Sequence, residues 1–128
     1  MSGKQTFRIE GTLPGLNEYT RANRSNYHSG AQMKKQTETM IGRFIRLAKL
    51  KPVQGRVHIS YQWIEPNERR DLDNIAFARK FVQDALVKSG VLAGDGRKHI
   101  KGFDDDFSVV SKTTPGVVVT ICPIEETL

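Results

Sequence analysis

Arg69-Arg70-Asp71-Leu72-Asp73-Asn74, followed by the apolar-periodic run Ile75, Ala78, Val82, Ala85 and Leu86, is the stretch on which the reading of this chain turns. Asp71 and Asp73 stand two apart, so in an extended approach their side chains leave the same face. The periodic run predicts an amphipathic helix capped by Asp73 or Asn74. Its predicted stop is Ser89-Gly90, with Gly90 in the left-handed conformation. Lys80 and Asp84 follow Asp73 by seven and eleven positions, and at 3.6 residues per turn both return to its meridian. Val91-Leu92-Ala93 then leads into Gly94-Asp95-Gly96. The expectation is one helix with an acid pair at its start, a lysine on the same side and a third acid in a glycine turn beyond its end.

Three converging carboxylates repel one another unless a cation sits among them. Oxygen-only ligation suits a hard ion, Mg²⁺ or also Mn²⁺, and not zinc. Arg69 and Arg70 beside the acids attract phosphate to the same place. Acids for a metal, with arginines and a lysine for a phosphate, suggest phosphodiester hydrolysis. Each piece alone has a plainer meaning. Asp-x-Asp-Asn before a helix is ordinary turn and cap chemistry, Asp95 between glycines is an ordinary turn, and Lys80 is an ordinary solvated lysine.

Composition narrows the class. The chain has 128 residues, 38% hydrophobic and 27% charged, which fits one globular domain spanning 1–128. No apolar run approaches the roughly 18 residues that cross a membrane, and no signal-peptide pattern opens the chain, so no membrane partner is expected. Cys122 is the only cysteine, which excludes an internal disulfide or a cysteine metal cluster and makes the cytoplasm the natural compartment. Twenty Lys and Arg against 14 Asp and Glu give a net charge of +6, which favours a polyanionic partner. An acidic site embedded in a basic chain is the pattern of a DNA-cutting enzyme.

Working outward, Thr6 to Leu13 alternates Phe7, Ile9 and Leu13 with polar residues and predicts a first strand, stopped by Pro14-Gly15. Residues 16–28 show no clear period. They read either as a polar surface loop or as a phosphate-gripping, base-stacking loop with Asn17, Arg21 and Arg24. His28 is a loop histidine without a second metal ligand at suitable spacing. A long helix from about Ser29 to about Leu50 has a buried stripe including Met33, Ile41, Phe44 and Ile45 and a basic one including Lys35, Arg43 and Arg46. Gly55 to Ile64 is a clear strand with Val57, Ile59, Tyr61 and Trp63 on its buried face, and His58 points the other way. His99 to Gly102 reads as a short strand and Val117 to Ile121 as a β-branched one after Thr114-Pro115-Gly116. Asp104-Asp105-Asp106 suggests a metal site, but adjacent positions point apart, which favours a solvated loop or strand end. The tail after Pro123 is expected to fray.

With these residues in view, the chain resembles the RusA-like Holliday-junction resolvases, the crossover-junction endodeoxyribonucleases of bacteria and their phages. The resemblance covers nearly the whole length. Pro14 with Asn17-x-Tyr19-x-Arg21-x-Asn23-Arg24 looks like the family's proline-and-asparagine loop, and Arg69 to Asn74 like its signature. Asp84-Ala85-Leu86 and the acid that follows it complete the pattern. The family implies an α+β fold, a small mixed sheet with two main helices, forming an intertwined homodimer. It implies Mg²⁺ ligation by Asp71, Asp73 and Asp95, with Lys80 as the functional lysine. It also implies Mg-dependent resolution of four-way DNA junctions in recombination and repair, by paired symmetric nicks that leave 5′-phosphate and 3′-hydroxyl ends. Asn17, Arg21, Arg24, Arg69 and Arg70 are the expected DNA contacts. Two departures stand out: the segment between the acid pair and the lysine is about three residues longer, and Gly94 replaces an acid that relatives often carry. The alternatives are a non-catalytic branched-DNA-binding protein, or a metal nuclease for other branches such as flaps.

Overall fold

Alternation along β2 (Val57–Glu65) decides the centre of the molecule, whose residues 3–110 and 114–125 are described from a computed structural model. Val57, Ile59, Tyr61, Trp63 and Glu65 all point to one buried face, as a strand of period two requires. β2 pairs in parallel with β3 (Ile100–Val109) and antiparallel with β4 (Gly116–Pro123), and β4 pairs antiparallel with β1 (Gln5–Glu10). The result is a mixed four-stranded sheet in the order β1-β4-β2-β3. The α+β class is as expected.

Helices cover the buried face. α2 (Tyr27–Leu47) supplies Ile41 and Ile45, while α4 (Arg79–Lys88) supplies Phe81, Val82, Ala85 and Leu86, packing onto Phe7, Ile59, Tyr61, Trp63, Val119 and Ile121. Full burial of such a side chain contributes about 1.5–3 kcal/mol, so this layer carries the stability. Tyr61 and Trp63 are each 1% exposed and stack at 5.4 Å, which makes them core, as expected. Among the described residues no helix is long and apolar enough to cross a membrane.

Several elements differ from the sequence expectation. The expected loop at 16–28 is helical: α1 (Leu16–Ser25) precedes α2, which begins at Tyr27. Its residues lack an apolar period because α1 buries none of them completely, and Tyr19 anchors it against Phe77 and Phe81 at centroid distances of 5.5 and 5.8 Å. The single helix expected after Asn74 is two helices, α3 (Leu72–Ala76) and α4. At the joint Ala78 N donates to Ile75 O, Lys80 N to Phe77 O and Phe81 N to Ala78 O, a tightened turn that aims Phe77 at Tyr19. The cap is therefore Asp71, not Asp73 or Asn74, and the shared meridian of Asp73 and Lys80 is interrupted. Gly90 has φ +80°, the left-handed stop expected of it.

β3 is also longer than the expected strand at 99–102, and it incorporates Asp104-Asp105-Asp106. Asp105 turns inward, where it accepts from Trp63 Nε1 at 2.8 Å and pairs with Arg79, whose guanidinium lies 4.2 Å from the Phe103 ring centroid. Asp104 turns outward to His58 Nε2 at 2.6 Å and to Ser60 Oγ at 2.9 Å. The His58 and Ser60 hydrogen bonds hold its carboxyl below the usual carboxylate range. Neighbouring acids thus point apart, as the spacing requires, and each has its own partner. The C-terminal tail's last residues, 126–128, lie outside the described residues.

Candidate functional site

The motif after β2 is held by the side chains that do not face solvent. Asn67 Oδ1 accepts from Arg69 N at 2.9 Å in the turn leaving Glu65. Arg70 then folds back. Its Nε and Nη2 donate to both Glu65 carboxylate oxygens at 3.0 and 2.9 Å, and its Nη1 reaches Leu13 O at 3.0 Å and Glu18 Oε1 at 3.5 Å. Such a bidentate, charge-assisted pair is among the strong polar contacts, and its Glu65 side chain is only 7% exposed. Four residues on, buried Asn74 accepts from Asn17 N at 2.8 Å, which caps α1 from a distant part of the chain. Glu18 Oε2 accepts from Gly15 N at 3.0 Å, and Gly15 lies so close that a Cβ there would sit 2.5 Å from Asn74 Oδ1 and 2.6 Å from Asn74 O. Only glycine fits that approach.

This clamp sorts the motif. Arg70 and Asn74 are turned into the protein, while Arg69, Asp71 and Asp73 are exposed. Asp71 occupies the N-cap of α3 without using its side chain as a cap, and Asp73 follows in the first turn. Their carboxylates do not leave a common face of extended chain, because α3 begins between them. Arg70, one of the expected DNA contacts, has its donors engaged by Glu65, Leu13 and Glu18. Asn17, Arg21 and Arg24 are exposed along α1, beside α3, and Lys80 is exposed at the second position of α4. A cleft of about 540 Å³ adjoins Asp71, with Leu72, Ile75 and Phe107 in its lining.

Asp95 stands in different company. Its turn is pinned by Gly96 O, which accepts from His99 N and Ile100 N at 2.9 Å, and by Val57 N donating to His99 O at 2.9 Å. The Asp95 carboxyl hydrogen-bonds Asp84 of α4. Burial and that hydrogen bond push the Asp84 carboxyl above the usual range, against the opposing pull of Lys34 Nζ at 3.5 Å. Glu38 of α2, with a side chain 2% exposed, is held by Lys88 Nζ at 2.5 Å and lies 3.9 Å from Lys34 Nζ. Its Oε2 is buried with no hydrogen-bond partner. Asp84, Lys34, Glu38 and Lys88 were not expected as site residues. The signal was the position of Asp84 on the helix meridian and the i,i+4 spacing of Lys34 and Glu38.

The structure therefore brings Asp95 to Asp84, and sets Asp71 and Asp73 by the clamp. Asp84 follows Asp73 by eleven residues, roughly 15 Å of helical rise. Among the described residues no group of three or more His, Cys, Asp or Glu side chains is placed to hold a metal ion. Mg²⁺ binds its ligands at about 2.1 Å, so the three acids of one chain do not fit a single shared ion. Comparison with protein-family models finds no match for the chain, and comparison with curated proteins finds no relative.

Proposed function

We propose that the chain is a divalent-metal-dependent endodeoxyribonuclease that cuts branched DNA, four-way junctions foremost, as its resemblance to the RusA-like resolvases implies. The observation that carries this reading is the clamp: buried hydrogen bonds are spent on holding Asp71 and Asp73 out to solvent beside Arg69. Clustered negative charge gains nothing for simple DNA binding, where phosphates are neutralised by cations. Arg69 binds the phosphate next to the cut, and Arg21 and Arg24 on the neighbouring α1 hold a duplex arm through its backbone. Lys80 offsets charge developing on the phosphate. Paired nicks need two sites, which a twofold homodimer supplies.

The test is a labelled synthetic four-way junction and a matched linear duplex, incubated with the protein and Mg²⁺ or EDTA. The expected result is paired symmetric nicks in the junction alone, dependent on Mg²⁺ and abolished by Asp71→Asn, with junction binding retained. Tight binding without cutting under any divalent ion would replace this reading with an architectural one. Preferential cutting of flaps would change the substrate.

A further inference from the structure

We infer that the acid set is completed between two copies of the chain: Asp71 and Asp73 of one protomer face the partner's Asp84 and the partner's Asp95, so that Asp84 is a member of the site. The inference rests on the endonuclease reading and names what the dimer contributes to it.

The two acid groups are separately incomplete. Asp71 and Asp73 are exposed at the clamp, and Arg70, the nearest buried cation, is already committed to Glu65. At the other group, Asp84 and Asp95 stand at hydrogen-bond distance, and two carboxylates that close need a proton or a cation between them. Glu38 adds a third acid beside Asp84, with one buried oxygen left unmatched. Against these three acids the network offers Lys34 and Lys88, so negative charge remains in excess. A hard divalent ion takes one or two carboxylates from each side and fills its shell with water and phosphate oxygen.

Completion within one chain would need the Gly94–Gly96 turn to carry Asp95 across roughly 15 Å of helical rise. That movement breaks its bond to Asp84 and the two bonds from His99 and Ile100 that hold Gly96. A second copy needs no such rearrangement. A twofold axis that sets the clamp acids of one protomer against the distal acids of its partner also creates the converse contact, which gives two equal sites from one interface.

The experiment pairs two variants, Asp71→Asn and Asp95→Asn, co-expressed with different affinity tags and purified as mixed dimers. Mn²⁺ binding is measured calorimetrically without DNA, and nicking is measured on the junction. If the site is shared between chains, each variant homodimer loses both sites. The mixed dimer regains one: it binds one Mn²⁺ where the wild type binds two, and it nicks one strand. If each site lies within a chain, the mixed dimer regains neither, and the inference is overturned. A wild type that binds the ion as a monomer, or binds none, overturns it as well. Restored Mn²⁺ binding with no junction cut by the wild type would keep the shared site and discard the endonuclease reading. Asp84→Asn is expected to weaken Mn²⁺ binding by about tenfold without changing the dimer, and unchanged binding removes Asp84 from the site.

Discussion

The clamp and the Gly94–Gly96 turn present acids in opposite ways. At the clamp the backbone is specified by buried polar bonds, Arg70 to Glu65 and Asn74 to Asn17, and the functional carboxylates themselves are exposed. At the turn the backbone lies between glycines, and the carboxylate itself is tied, through Asp84, into the network joining α2 and α4. One region holds its acids by framing them, the other by bonding them. Damage to the frame should therefore unfold the protein, whereas damage at the turn should change its chemistry first.

The largest test of that contrast is Arg70→Met. It strands Glu65 as a buried charge without its partner, which is expected to cost about 3–5 kcal/mol in urea unfolding. A loss under about 1 kcal/mol would show that the clamp does not hold the motif. Next comes a pair of glycines. Gly15→Ala forces a methyl against Asn74 and should cost about 1–3 kcal/mol in thermal unfolding, while Gly96→Ala meets no atom within 4 Å and should change stability by less than about 0.5 kcal/mol. Equal losses at the two glycines would erase the distinction.

The smallest effect concerns pH. The folded pKa of Asp84 is raised by burial and by its bond to Asp95, so the folded state holds a proton that the unfolded state releases. Stability from this group is present below the ordinary carboxylate pKa and is lost as pH rises through the raised value. Asp84→Asn removes that dependence. It is expected to be slightly more stable than wild type at neutral pH, with the gap closing in acid, in urea titrations from pH 3 to 8. A gap independent of pH would place the effect elsewhere.

The strand at β2 was legible because both of its sheet partners lie on one buried face and its alternation is unbroken through Trp63. The long helix was legible from the apolar stripe that includes Ile41 and Ile45. α1 was not, because its cap is Asn74, a residue 57 positions away, and local propensity cannot register a bond of that range. The break between α3 and α4 was hidden for a similar reason: Phe77 fits a helical period but is drawn to Tyr19. Phe103 to Phe107 carries three acids in a row and has poor strand propensity by itself, yet Arg79, Trp63 and His58 satisfy two of those acids in the strand. In the site, the outward acids Asp71 and Asp73 could be read directly. The inward role of Arg70 could not, since it depends on Glu65 closing a strand whose burial shows only in three dimensions.

The strand order has a consequence for how the chain comes to be folded. β4, the last element synthesised, lies between β1 and β2, and Gln5 pairs with Ile121. Until the final dozen or so residues leave the ribosome, the first strand has no neighbour and the second lacks one of its two. Closure of the sheet must wait for the whole chain and must bring its two ends together, a high contact order that slows folding. A nascent or truncated chain ending before Gly116 would expose the apolar faces of β1 and β2 together, so quality control of this protein acts at its C-terminus, far in sequence from its acids.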